Sequence, residues 1–367
     1  MSKSTKILIS GGGTGGHIFP AIAIANELKS KINDIEIQFV GAKGRMEMEK
    51  VPMAGYQIKG LWISGLQRRL TIKNLLFPFK LILSLLKAKS IIYKFRPNVV
   101  IGTGGYASGP LLFAASVKGI PTIIQEQNSY PGKTNILLSK KASLICTAYE
   151  GLSKFFPEDK IRFTGNPVRK DLSERNIDRQ EAHQVFGLDP SHKTILILGG
   201  SLGAKTLNDA MMGMLNSKEQ SNYQYIWQCG KYYFEPLSSM VSEEKHPNIK
   251  LLAFISRMDA AYAAADLIVS RAGALSVSEL CLVGKPVILV PSPNVSEDHQ
   301  TKNAMSLVNR EAAVLVKDTD AQKDLILKAH ELLVDEEQSA TLSTNILRLA
   351  RPNATSEIVD ECESIIA

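Results

Sequence analysis

The sequence predicts an α/β fold of two Rossmann-like, doubly wound parallel-sheet domains facing each other across a cleft. Three observations predict it. Short apolar runs alternate with helical patterns, the alternation repeats in the second half, and each half opens on a glycine-rich strand-to-helix turn. The chain of 367 residues also exceeds the size at which one hydrophobic core stops growing, which favours two cores.

In the first half the strands are carried by KILIS, IEIQFVG, NVVIGTG, PTIIQEQN, SLICTA and IRFTGNPV; in the second by TILILGG, YQYIWQCG, IKLLAFIS, DLIVSRAG, PVILVPSP and AAVLVKD. Apolar strands alternating with helices imply sheets covered on both faces. The boundary falls between Asn166-Pro167 and Asp189-Pro190, where a charged helical stretch separates the two series; we place it as 1–168 and 169–352. After Arg351-Pro352, residues 353–367 read as a final helix that periodicity alone does not place. Ligands in such sheets bind beyond the carboxyl ends of the strands.

Composition is that of an ordinary globular protein, 44% hydrophobic and 22% charged, which excludes disordered, collagen-like and disulfide-scaffold classes. Cys146, Cys229, Cys281 and Cys362 lack C-x-x-C spacing and read as reduced thiols. The N-terminus runs straight into a strand pattern, unlike a signal peptide, and the most apolar window, Leu75 to Leu86, is too short to cross a bilayer. The net charge of +7 is concentrated: from Val51 to Gln125 there is no Asp or Glu, against ten Lys and Arg. Such a run attracts nucleic acid, anionic lipid or an acidic substrate, unless it is merely a solvated basic surface.

Three motifs carry chemistry. In ISGGGTGGHIFPA, Gly11, Gly13 and Gly16 satisfy G-x-G-x-x-G between strand and helix, the setting of an anion-binding turn. The next strand ends Val40-Gly41-Ala42-Lys43, without the acidic residue a dinucleotide ribose requires, so a nicotinamide cofactor is discounted. ILILGGSLGAKTLND misses a Walker A loop by Ala204; Ser201 and its glycines suit a phosphate or sugar, and a structural turn explains them almost as well. In SRAGALSVSELCLVGKPVILVPSPNVSEDHQTKNA, Gly273 and Ala274 lead into a helix start able to receive a diphosphate. Glu279, one turn on, reaches a ribose, and the amide of Gln300 donates to and accepts from sugar hydroxyls.

That last segment resembles the donor-binding signature of GT-B glycosyltransferases. From GGGTGGHIFPA through GTGGYASGP, QEQNSYPGKTN, TGNPVR, GGSLGA and SRAGALSVSE to DHQTKNA and ARPNAT, the chain is similar to the peptidoglycan N-acetylglucosaminyltransferases that convert lipid I to lipid II. The resemblance implies an inverting transfer of N-acetylglucosamine from UDP-N-acetylglucosamine to the C4 hydroxyl of the acceptor's N-acetylmuramyl sugar, with no cofactor or metal. It implies donor contacts from Thr14, Gly15, Gly16, Asn128, Arg169 and Ser201, a uracil contact from Ile255, and diphosphate and ribose contacts from Ala274, Leu275, Ser276, Val277, Ser278 and Glu279, with Gln300 on the sugar. Gly13, Gly104, Gly105 and Tyr106 would face the acceptor pyrophosphate, and the final helix would return to the N-terminal domain. It implies a peripheral enzyme on the cytoplasmic face of the inner membrane, partnered by lipid I, an anionic leaflet and other cell-wall or division proteins, with no nucleic acid.

Displacement at an anomeric carbon needs a stabilised diphosphate and a deprotonated hydroxyl. Helix N–H groups and Arg169 suit the first. His17, which ends the first glycine loop, is the candidate base, the alternative being a residue that only positions substrate. Asp318-Thr319-Asp320 precedes a helical pattern and reads as capping, not metal binding; His183, His192, His246 and His330 read as surface residues. Leu75, Leu76, Phe77 and Phe79, flanked by Arg68, Arg69, Lys73 and Lys80, read as a membrane patch, and the segment after Lys80 as a solvated helix. A different lipid acceptor, a non-catalytic nucleotide-binding module docked on anionic membranes and a nucleotide-sugar epimerase are the competing readings.

Overall fold

The computed structural model describes residues 4–65, 76–168, 177–200, 202–217, 222–242 and 244–366. They form two compact units, Met1–Val168 with Arg351–Ala367, and Arg169–Ala350.

The first unit holds seven strands: β1 (Thr5–Gly11), β2 (Ile35–Ala42), β3 (Gln57–Leu61), β4 (Val99–Gly104), β5 (Thr122–Glu126), β6 (Leu144–Thr147) and β7 (Ile161–Phe163). They pair in parallel in the order β3-β2-β1-β4-β5-β6-β7. Order reverses between β1 and β4, whose register sets Ile7 against Val99 and Ile9 against Ile101. The period-two pleat sends Ile7 and Ile9 to one face and Leu8 to the other. The Ile7 face packs under helix Gly15–Lys31 through Ile18, Ile24 and Leu28, and under the final helix, Ala354–Ile366, through Ile358, Val359 and Cys362. On the Leu8 face, Ile91 and Ile92 of helix Phe77–Phe95 and Leu111 and Leu112 of helix Ser108–Val117 close the second layer.

In the second unit β8 (Thr194–Leu198), β9 (Gln224–Gln228), β10 (Ile249–Leu252), β11 (Leu267–Ser270), β12 (Val287–Leu289) and β13 (Val314–Leu315) form a parallel sheet ordered β10-β9-β8-β11-β12-β13. It reverses between β8 and β11. Doubly wound sheets open a crevice at such a reversal, where the loops leaving the two neighbouring strands part. Each unit therefore places its glycine-rich turns at its switch point.

The helix Phe77–Phe95 revises one expectation. Pro78 sits in its first turn, where a missing N–H costs nothing, and the helix runs unbroken through Lys80. Phe77 packs against the core, whereas Phe79, Ile82, Leu83 and Leu86 are exposed. The apolar surface therefore continues into the segment expected to be only solvated, and Phe77 does not belong to it.

Candidate active site

In the first unit three strand ends converge. β1 runs into Gly12-Gly13-Thr14 and helix Gly15–Lys31; β4 runs into Gly104-Gly105 and helix Ser108–Val117; β5 is followed by Gln127 and Asn128. Gly12 N–H donates to the Gly104 carbonyl at 3.2 Å, and Ser108 Oγ donates to the carbonyls of Ser10 at 2.9 Å and Gly104 at 2.8 Å. These bonds hold the two loops side by side. Gly104 and Gly105 have φ of +108° and +91°; a Cβ on Gly105 would collide with the Gly12 backbone, and one on Gly104 would lie 2.6 Å from His17 Nδ1. Only glycine meets both demands. His17 sits in the first turn of its helix, its carbonyl accepting from Thr103 Oγ1 at 2.7 Å and its Nδ1 lying 3.0 Å from Gln127 Oε1.

Two buried carboxylates shape these loops. Glu47 accepts from Gly13 N–H and Ala42 N–H, each at 2.9 Å. The Gly13 N–H, in the turn expected to face a pyrophosphate, is thus held by Glu47; in the same turn Thr14 and Gly16 are exposed and Gly13 and Gly15 half-buried. Glu126 accepts from Asn128 N–H at 3.0 Å, Asn128 Nδ2 at 3.2 Å, Gly132 N–H at 3.1 Å and Asn135 Nδ2 at 2.8 Å. It fixes the loop that carries Asn128. Tyr106 is exposed, its ring lying where a Cβ on Gly65 would be.

In the second unit β11 leads through Arg271-Ala272-Gly273 into helix Ala274–Val283, whose N-cap Gly273 is extended and whose first turn holds no acidic residue. First-turn N–H groups, those of Leu275 and Ser276 among them, have no acceptor four residues back, so the turn carries partial positive charge. Glu279 Oε2 accepts from the hydroxyl of Tyr262, a buried residue of helix Met258–Ala264, at 3.2 Å. Asn303 Nδ2 donates to the Ala272 carbonyl at 3.3 Å, tying helix His299–Val308 to the same turn. Gln300 Oε1 accepts from Ser292 N–H at 2.9 Å, so the amide meets a ligand chiefly as a donor. The helix that carries Gln300 is thus packed, through Asn303, against the turn that opens helix Ala274–Val283. Ile255, expected to meet the uracil ring, is buried, and its neighbour Phe254 is exposed.

The loop after β8 is bonded to Gln228, at the end of β9, and to itself. Gly199 N–H donates to the Gln228 carbonyl at 3.1 Å, Gly200 N–H to Gln228 Oε1 at 3.2 Å and Gly203 N–H to the Gly200 carbonyl at 3.0 Å. Asp318 is no capping residue: it pairs with Arg271 and accepts from Thr206 Oγ1 at 3.0 Å. Asp320 stands at the N-cap of helix Ala321–Val334 without a side-chain bond to that helix. His183 is buried between the Arg179 carbonyl and Thr194 Oγ1, and His330 Nε2 meets Tyr225 Oη at 2.6 Å, so neither is the surface residue expected. Among the described residues no cluster of three His, Cys, Asp or Glu could hold a metal ion. Burial pushes the thiols up, Cys229 to about 11 and Cys281 and Cys362 to about 12. Arg169, Ser201, Arg68, Arg69, Lys73 and Leu75 lie outside the described residues.

In the first unit, exposed rings on helix Phe77–Phe95 and on the elements beside it meet cations. Lys80 Nζ is 5.5 Å from the Trp62 ring and donates to Ser64 Oγ at 3.1 Å. Lys118 lies 5.1 Å from the Tyr93 ring and Lys141 5.8 Å from Phe113. No helix among the described residues is long and apolar enough to cross a membrane.

Residues 7–147 match the glycosyltransferase family 28 N-terminal domain and residues 194–358 the family 28 C-terminal domain. The UDP-N-acetylglucosamine–N-acetylmuramyl-(pentapeptide) pyrophosphoryl-undecaprenol N-acetylglucosamine transferase of Flavobacterium psychrophilum is 56% identical over 361 residues, 98% of either chain. The transferase of the same name from Cytophaga hutchinsonii is 55% identical, over 99% of this chain and 98% of its own. Among solved structures, Acinetobacter baumannii MurG aligns with a TM-score of 0.79 and 29% identity, over 98% of this chain and 99% of its own. The UDP-GlcNAc 2-epimerase of Neisseria meningitidis bound to UDP-GlcNAc shares the fold, with a TM-score of 0.68 and 17% identity over 98% of this chain and 100% of its own.

Proposed function

Because the chain belongs to glycosyltransferase family 28, we propose that it transfers N-acetylglucosamine from UDP-N-acetylglucosamine to the C4 hydroxyl of the N-acetylmuramyl sugar of lipid I, forming lipid II of peptidoglycan. The observation that carries this reading is identity above one half, over nearly the whole chain, to transferases whose names state both substrates. The second unit supports it with a charge-complementary helix start for the diphosphate and, five residues on, a carboxylate for the ribose.

The acceptor oxygen attacks the anomeric carbon from the face opposite the nucleotide, the bond to UDP breaks, and its electron pair leaves on the diphosphate. Two demands follow: stabilising that charge and taking the acceptor's proton. Helix Ala274–Val283 meets the first through its opening N–H groups and dipole, with Arg169 and Ser201 as further partners of the phosphates and sugar. His17 meets the second as general base. Glu279 is excluded from that task because it holds the ribose. Gly13, Gly104, Gly105 and Tyr106 receive the acceptor pyrophosphate, and Asn128, with Thr14 to Gly16, meets the donor sugar. No step needs a metal ion.

The acceptor's polyprenyl tail stays in a bilayer, so the enzyme docks on it. Leu76, Phe79, Ile82, Leu83 and Leu86 enter the acyl boundary while Lys80, Lys87, Arg68, Arg69 and Lys73 meet anionic head groups, each worth about 1 kcal/mol near the surface. UDP release from UDP-N-acetylglucosamine tests the reading. Release that requires added lipid I supports it; consumption of the donor without acceptor indicates an epimerase, and no turnover with lipid I indicates a binding module or another acceptor.

A further inference from the structure

We infer that Gln127 is a positioning residue that holds the His17 imidazole in the tautomer with its proton on Nδ1, leaving the lone pair on Nε2 to take the acceptor's proton. This deepens the reading of His17 as base and rests on it for its catalytic half. The tautomer itself follows from a chain of buried amides whose polarity main-chain carbonyls set.

The chain starts at Asn166, 2% exposed, whose Nδ2 donates to the Gln127 carbonyl at 3.0 Å. A carbonyl only accepts, so Nδ2 is fixed there and Oδ1 faces Gln125 Nε2, also at 3.0 Å. Gln125, 0% exposed, therefore turns its Oε1 towards Gln127 Nε2. That nitrogen is surrounded by oxygens: the Thr103 carbonyl at 2.6 Å, the Gln125 carbonyl at 3.1 Å and Gln125 Oε1. Turning the Gln127 amide over would set an oxygen against three oxygens with no proton between them, in a place no water reaches, since Gln127 is 1% exposed.

Gln127 Oε1 is thereby left facing His17 Nδ1 at 3.0 Å. An amide oxygen has no proton to give, so the hydrogen between them is the imidazole's. In the neutral ring only one nitrogen carries a proton, and Nε2 becomes the acceptor. The ring cannot slide off its partner inward, because its Nδ1 edge lies over the main chain of Gly104, where even a Cβ would come within 2.6 Å. A base held in the wrong tautomer presents N–H to a hydroxyl and takes nothing, which is how a mis-set histidine loses orders of magnitude in turnover.

The test is the imidazole ¹⁵N–¹H spectrum of the full chain labelled with ¹⁵N-histidine, at a pH where the rings are neutral, with His17 assigned by its loss in His17→Gln. The expected result is a protonated Nδ1 and an unprotonated Nε2; a protonated Nε2 in the parent protein overturns the inference without any variant having to fold. Gln127→Met, close in shape but without an acceptor, should give a mixed tautomer and lower kcat by about tenfold or more, with KM for UDP-N-acetylglucosamine within about twofold. A ring still held on Nδ1 in Gln127→Met overturns the role of Gln127. A ring that is held in the parent, released in the variant and yet turns over at the parental rate overturns the reading of His17 as base.

Discussion

Replacing Glu279 by Gln keeps the side chain's shape and its capacity to accept from Tyr262, and removes only the charge. What a ribose loses is the difference between a hydrogen bond to an ionised acceptor and one to a neutral amide. Charged bonds contribute about 1.5–3 kcal/mol and neutral ones about 0.5–1.5, so two ribose hydroxyls on one carboxylate lose roughly 1–3 kcal/mol. At about 1.4 kcal/mol per decade, affinity for UDP and for UDP-N-acetylglucosamine should fall by about 5- to 150-fold, alike for both because both carry the ribose. Tyr262→Phe leaves the charge but frees the carboxylate to turn, and should cost a neutral bond's worth, about fivefold. Calorimetric titration of UDP into each variant measures this, with a short-chain lipid I analogue as the control ligand. Parental UDP affinity in Glu279→Gln, or equal weakening of UDP and the lipid, would refute the assignment of Glu279 to the ribose.

Gln300→Ala should erode discrimination between UDP-N-acetylglucosamine and other UDP-sugars while UDP affinity holds, in competition titrations; a matching loss of UDP affinity would move Gln300 off the sugar. His17→Ala should lower kcat by about 100-fold or more with donor affinity kept; a kcat within a few fold of the parent's would leave it a positioning residue. Phe79→Ser with Leu83→Ser should reduce sedimentation with anionic vesicles at an unchanged Tm, because both side chains are exposed, whereas Phe77→Ser should lower Tm because Phe77 packs in the core. Vesicle binding that survives the double change places the membrane surface elsewhere. The four buried thiols should resist a thiol reagent until denaturant is added. Their pKa values are raised by burial, so the stability they contribute is full below the free thiol's value of about 8.5 and fades as pH rises above it. A thiol that reacts at once in the native protein contradicts the packing of its helix or strand.

The alternation of apolar runs and helical patterns was enough to read both parallel sheets, because strands buried on both faces leave a signal in every residue. The glycine turns and the helix after Gly273 were legible for the same local reason. What the sequence hid is partnership across distance. Glu47 takes the Gly13 N–H from 34 residues away, and Gln127 meets His17 from 110. No periodicity marks either, although the polar run Gln125 to Asn128 at the end of a buried strand was a signal that these side chains serve one another. His183 and His330 lie in polar, helical sequence and are satisfied by residues of neighbouring elements. The lysines spaced by sevens after Lys80 are exposed as their spacing suggests, but the same turns also expose Ile82, Leu83 and Leu86.

The central claim is an inverting transfer onto a lipid-linked sugar, and the most direct measurement is the proton spectrum of the product made from UDP-N-acetylglucosamine and a short-chain lipid I analogue. The account predicts one new N-acetylglucosamine with the large anomeric coupling of a β-linkage, joined to the muramyl C4, formed in step with UDP. An α-linked product, or an altered nucleotide sugar with the acceptor untouched, would contradict it.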